Sequence, residues 1–277
     1  MPIRLGANRY GKAENRVVRI HRDTARHEIT DLNVSTHLRG SFDAAHTTGD
    51  QAAILPTDSQ RNTVFAFAKE HRVRPIEDYA LHLARHFVDT TPAVSGALVE
   101  VEEYRWNRID GHDHAFTRDG SWVRTTAVDV EGDTAVVTSG VTDLALLKST
   151  GSEFHGFHTD RYTTLAETRD RVLATALTAT WRYGSTEVEW DAVHADVLTL
   201  VAGSFADIHS LALQQSLFGM GKTVLEAHPE IEEISFVAPN KHHVLVDLSP
   251  FELENTGEVF IATDRPYGLI EATVVRE

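Results

Sequence analysis

A chain of 277 residues with 42% hydrophobic and 24% charged side chains has an ordinary globular balance and is long enough for one large core or two domains. Its 26 basic and 41 acidic residues leave a net charge of −15, which argues against a nucleic-acid backbone or an anionic membrane surface as partner. Zero Cys excludes disulfides, thiolate nucleophiles, iron–sulfur clusters and Cys-ligated zinc together.

The longest apolar run, Val64 to Ala68, is far below the ~18 residues of a membrane span, and no apolar signal core or peroxisomal ending is present. A cytoplasmic protein is expected. From the start, Asn8 to Asp23 and His27 to Gly40 read as an antiparallel hairpin about a short polar turn. Pro56 then pushes Leu55 out of the α region, and Thr57 with Gln60 has the spacing of a capping box, which predicts a helix through about Glu70. The free N–H groups of such a helix start attract anions. A second helix follows Pro75, with Ile76, Tyr79, Ala80, Leu83 and Phe87 as its apolar stripe, and Val94 to Asn107 and His112 to Val130 return to strand character.

Glu131-Gly132-Asp133 combines turn residues with a restart of the pattern, so residues 1–131 and 132–277 are read as two domains. The second half offers a strand from Thr134 to Leu147 and an irregular-to-helical stretch through Tyr162 to Ala176. A strand pattern from Val188 to Val201 follows, then a helix from about Ile208 to Ala227 with Ile208, Leu211, Phe218, Val224 and Leu225 on its apolar face. Strands at Ile231–Val237 and His243–Leu248 complete it. The pattern is α+β, with antiparallel sheets carrying helices on one face. The other face of each sheet must be buried, which predicts a homo-oligomer whose sheets close into a barrel.

Four stretches carry chemistry-bearing residue types. Lys12 stands at the mouth of the first strand and accepts a proton only where its surroundings lower its pKa; an exposed strand-end lysine fits the same position. Phe154 and Arg171 offer a ring to stack on and a planar fork for the edge of an anionic heterocycle, although a core ring and a surface cation fit the spacing too. The Gln214 carboxamide presents a donor and an acceptor side by side. In the connection Pro239-Asn240-Lys241-His242-His243, Asn240 suits a small polar molecule and His242 a proton relay, or simply a turn.

Two motifs are decoys. Gly219-Met220-Gly221-Lys222-Thr223 ends like a phosphate loop, but Ser216 replaces its first glycine and the pattern does not open a helix. His112 and His114 would share a strand face, yet no HExxH or Cys ligand accompanies them, and no metal is expected.

Tyr10-Gly11-Lys12, Thr57-Asp58-Ser59 with Asn62-Thr63, the run from Leu147-Lys148-Ser149-Thr150 through Tyr162-Thr163-Thr164-Leu165 to Asp170-Arg171, and Pro239-Asn240-Lys241-His242 together resemble urate oxidase (uricase) of bacterial type, over nearly the whole chain. The resemblance implies the tunnelling fold, with two ββααββ units per subunit and a homotetramer holding its active sites between subunits. It implies oxidation of urate by O₂ to 5-hydroxyisourate and H₂O₂ with no cofactor. Carried over by residue, Phe154 stacks on urate, Arg171 and Gln214 grip its two edges, and the Leu213 backbone adds a contact. Asn240 lies near the oxygen site. Lys12, Thr57 and His242 resemble a proton relay, with Thr57 and Asp58 reaching in from a neighbouring subunit. The chain departs from the family at Leu213, often Val or Ile there, and at His243 and Phe218, often Tyr. A pterin enzyme of the GTP cyclohydrolase type shares the tunnelling fold, but such a cyclohydrolase uses Cys for zinc. A non-enzymatic purine-binding module is a further alternative, separated by whether urate addition consumes oxygen.

Overall fold

Alternating burial along the first two strands sets one face of a sheet against helices. The computed structural model describes residues 3–277 and places β1 (Tyr10–His21) antiparallel to β2 (Glu28–Gly40), with Val17, Leu32, Val34 and Leu38 buried. A short α1 (Asp43–Thr47) leads to α2 (Thr57–Glu70) and α3 (Ile76–Thr90). The stripe Ile76, Tyr79, Ala80, Leu83 and Phe87 read from the sequence is wholly buried. Next comes β3 (Val94–Tyr104), then a side hairpin of β4 (Trp106–Arg108) and β5 (Phe116–Arg118), and β6 (Val123–Glu131). His112 and His114 fall in the exposed connection of that side hairpin rather than in a strand, so no shared strand face aligns them.

The chain divides into two compact units: residues up to Gly140 with Arg182–Asp191, and Val141–Trp181 with Ala192–Glu277. In the first unit the strand order is β1-β2-β3-β6, continued by the beginning of β7 (Thr134–Lys148), with α2 against β1 and α3 against β3 and β6. Gly132 takes φ 54° in the two-residue turn between β6 and β7, a left-handed backbone that glycine adopts without strain. A buried ion cluster pins α3 to the sheet. Glu77, fully buried, accepts from Arg124 Nη2 at 2.8 Å and from Ser139 Oγ at 2.6 Å, and Arg124 Nη1 reaches Asp191 at 2.5 Å. Burial raises the Glu103 carboxyl above its ordinary value, opposed by the charges of Arg74 and Arg124.

The second unit continues β7 into β8 (Leu173–Tyr183), α4 (Trp190–Asp207), α5 (Leu213–Ala227), β9 (Ile231–Asn240), a side hairpin of β10 (His243–Leu245) and β11 (Phe260–Ala262), and β12 (Gly268–Val275). Its strand order is β7-β8-β9-β12, with α5 against β9 and β12. Each half therefore reads ββααββ in its main elements.

Four sequence readings of this half are corrected. The stretch Val188–Val201 is not a strand. Val193, Val197, Val201 and Phe205 recur every fourth residue and are buried, so the β-branched character of the valines yields to helical spacing in α4. The segment from Tyr162 forms no helix; Phe154 and Thr168 bridge instead, and β8 begins at Leu173. α5 starts at Leu213 rather than Ile208 and buries Leu213, Ser216, Leu217, Met220 and Val224, leaving Leu211 and Phe218 exposed. Among the described residues His243–Leu245 pairs with β11 alone, and β9, beside β8, pairs on its other edge with β12, for which the sequence reading has no strand.

Candidate active site

The first group of candidate residues stands where β1 and α2 begin. β1 slips register between Lys12 and Asn15, with Glu14 at φ 58°, and Asn15 Nδ2 fills the irregularity by donating to Val34 O at 2.8 Å and Lys12 O at 3.1 Å. Lys12 is half-buried and its Nζ has no ion-pair or hydrogen-bond partner among the described residues. Across the strand pair from Lys12 sits Thr36, whose hydroxyl donates to Gln60 Oε1 at 2.8 Å.

That bond overturns the capping box. Pro56 occupies the N-cap with no side-chain cap, Thr57 is the first helical residue, and the fully buried Gln60 turns its amide to Thr36 and to Leu55 O at 3.4 Å. Tyr10 OH also donates to Leu55 O, at 3.1 Å. Two donors on one carbonyl thus fix the backbone just before Pro56 and aim the start of α2. Thr57 is half-buried, and its hydroxyl has no partner among the described residues. Asp58 is exposed and holds Arg61 at 2.6 Å and Asn62 Nδ2 at 3.2 Å. Gln60 is the residue this corner adds to the sequence reading.

The second group lies in the second unit. Phe154 exchanges backbone bonds with Thr168 at 2.8 and 2.9 Å, and Arg171 N donates to Ser152 O at 2.9 Å. These bonds bring Arg171 Cζ to 5.1 Å from the Phe154 ring centroid, while Phe157 stacks on the same ring at 4.7 Å and 17°. Burial lowers the Arg171 pKa, yet guanidinium stays cationic at any working pH. The loop is stitched in turn to the approach of α5: Ser152 and Ser210, both fully buried, form a bridge, Glu153 N donates to Ser210 O at 2.7 Å, and Ser210 N to Gly151 O at 2.9 Å. Ser216 Oγ closes this seam on Ser210 Oγ at 2.8 Å.

Leu213 and Gln214 open α5, so their N–H groups lie outside the intrahelical ladder. The Leu213 side chain is buried, whereas Gln214 is exposed at the helix start. Asn240 ends β9 opposite Gly268 and is half-buried. The following residue, Lys241, donates its N–H to Ala174 O at 2.8 Å, three residues beyond Arg171. His242 is exposed and its carbonyl accepts from Thr263 N at 2.9 Å. Phe154, Arg171, Leu213, Gln214, Asn240 and His242 thus belong to one unit, and Lys12, Thr57 and Asp58 to the other. A flat anion needs what the second group holds: a ring face, a fixed guanidinium and a helix start.

The phosphate-loop decoy lies inside α5, where Gly221 packs so closely that a Cβ would come 2.5 Å from Val274 Cγ2. Gly221 thus serves helix–sheet packing, whereas a Cβ on Gly219 would meet Ile208 Cδ1 at 2.5 Å. Among the described residues no group of three or more His, Asp or Glu side chains is placed to hold a metal ion, and no helix is long and apolar enough to cross a membrane.

A family model described as "Uricase" matches residues 8–129 and 137–271. A curated uricase from Arthrobacter globiformis is 54% identical over 273 residues, covering 99% of this chain and 90% of the relative, and one from Dictyostelium discoideum is 37% identical over 276 residues, covering 97% and 96%. The crystal structure of the Arthrobacter globiformis uricase superposes with a TM-score of 0.98 at 53% identity, covering 100% of this chain and 96% of that one. Family match, identity and fold agree over nearly the whole chain, and it belongs to the uricase family.

Proposed function

We propose that this chain oxidises urate with O₂ and water to 5-hydroxyisourate and H₂O₂. The observation that carries this is the Phe154 ring and Arg171 guanidinium set 5.1 Å apart and bonded through Ser152 and Ser210 to the start of α5. Phe154 stacks on the urate plane; Arg171 binds one edge through charge-assisted bonds, Gln214 binds the other, and the Leu213 N–H adds a contact. Asn240 holds O₂ above the ring. Lys12, through the Thr57 hydroxyl and with His242, removes the proton that converts bound urate monoanion to its electron-rich dianion. Two electrons then pass from urate to O₂, which leaves as H₂O₂, while water supplies the hydroxyl added at C5. The conjugated dianion is itself the reductant, so these residues need only position it, take its proton and hold oxygen beside it.

Lys12, Thr57 and Asp58 act on urate held by a neighbouring subunit. The exposed apolar side chains Val18 and Ile20 on β1, and Val237, Leu269 and Val275 on β9 and β12, support sheets that bury a second face by association into barrels and a homotetramer. The test uses chelator-treated, colourless protein: urate absorbance and O₂ should fall and H₂O₂ rise in equal molar amounts. Activity that returns only when a metal or flavin is added would contradict the reading.

A further inference from the structure

Next to the stacking ring stands a carboxylate that the proposed chemistry does not use. Glu153 Oε1 lies 2.6 Å from His209 Nε2, and Oε2 lies 2.8 Å from His155 Nε2. Arg169 comes within 3.9 Å of the same carboxylate, so three cationic or hydrogen-donating groups face it. The Glu153 side chain is 15% exposed, against 57% for His209.

Each partner is attached to a part of the substrate grip. His155 follows Phe154 directly, Arg169 precedes Arg171 by two residues, and His209 precedes Gln214 by five. The Phe154 segment lies outside any regular helix or strand; on one side the bridge to Thr168 holds it, and on the other Glu153 does, through its backbone bond to Ser210 and its carboxylate. A carboxylate accepts from two donors at once through charge-assisted bonds, whereas an amide offers a single acceptor oxygen and neutral bonds.

We propose that Glu153 is a positioning residue for ring binding: by holding His155 and His209 together, it sets the separation between the Phe154 ring and the Gln214 carboxamide. It acts through these neighbours and not on the reacting atoms. The proposal rests on Phe154, Arg171 and Gln214 being the urate grip.

The test compares Glu153→Gln, His209→Gln and the double variant, measuring steady-state kinetics with urate and equilibrium binding of xanthine, a purine lacking the 8-oxo group. In each single variant KM for urate should rise and xanthine affinity fall by about tenfold, with kcat at saturation kept within about twofold. The double variant should be no worse than either single one, because each already breaks the same link. His209 lies on the surface, so its variant reports on the link even where Glu153→Gln folds poorly. Unchanged KM in both single variants, a loss confined to kcat, or losses that multiply in the double variant would overturn the proposal. A wild-type chain that consumes no urate, or an Arg171→Ala chain that binds xanthine as the wild type does, would overturn the reading of the grip instead.

Discussion

Lys12 and Arg171 are both cations of the candidate site, but their surroundings differ. Lys12 is half-buried beside a β-bulge and engages no carboxylate among the described residues, while Arg171 is fixed by its own backbone bond to Ser152 beside the Phe154 ring. Lys12→Met should therefore lose about 10²–10⁴-fold, mostly in kcat, and recover part of it at alkaline pH, where solution supplies the urate dianion. Arg171→Ala removes charge-assisted bonds of about 1.5–3 kcal/mol each, so its defect should be weak binding that alkali does not mend. Kinetics of both variants across pH, beside xanthine binding, separate the two roles; a Lys12→Met enzyme with unchanged kcat removes Lys12 from the relay. Glu153 makes a further pH prediction. Bonds from His209 first, and then His155, hold its carboxyl below the ordinary 4.5. A depressed folded-state pKa contributes stability that is complete above the unfolded value and is lost as pH falls through the folded one. Thermal unfolding from pH 7 down to pH 3 should show a smaller acid loss in Glu153→Gln than in the wild type, and parallel curves would show that the pairs contribute nothing.

The elements differ in how plainly the sequence announces them. The α3 stripe follows from a period of 3.6 and the hairpin at residues 10–40 from a period of two, with Val17, Leu32, Val34 and Leu38 buried while Val18 and Ile20 are exposed. α4 was hidden by its valines, and the start of α5 was misplaced because Ile208, Leu211 and Phe218 also keep helical spacing. The structure separates these phases energetically: Leu217→Ala, at a fully buried site, should cost about 2–5 kcal/mol, while Phe218→Ala should change stability by under about 0.5 kcal/mol. Denaturant midpoints of the two variants check this, and equal losses would restore the phase read from sequence. Residues that act across the fold left no local signal. Glu153 meets His209 across 56 positions, and Gln60 reads as a capping partner until its amide is seen bonded to Thr36 on a strand. Lys12, Thr57, Phe154 and Asn240 are candidates by residue type and place, but only the resemblance chooses function over structure for them, since an isolated lysine, threonine, ring or asparagine has a structural use at any such position.

At the scale of the molecule, the candidate residues divide between two compact units, with Lys12 and Thr57, proposed to handle the proton, in one and Phe154, Arg171, Gln214, Asn240 and His242, proposed to hold urate and oxygen, in the other. On the proposed reading, a strongly acidic chain would win its anionic substrate locally, through Arg171 and two helix starts, rather than through its overall field. If the two groups meet on one urate between subunits, inactive Thr57→Ala and inactive Arg171→Ala chains complement each other. A hybrid dimer with two-fold symmetry holds one doubly damaged site and one intact site, so random equal mixing should restore about a quarter of the wild-type urate oxidation. Activity of the mixed, refolded chains, with hybrid formation verified by differently tagged subunits, is the decisive measurement. Recovery near a quarter supports a shared site, whereas verified hybrids that oxidise no urate would show that Thr57 and Arg171 serve the same chain's site and contradict the account.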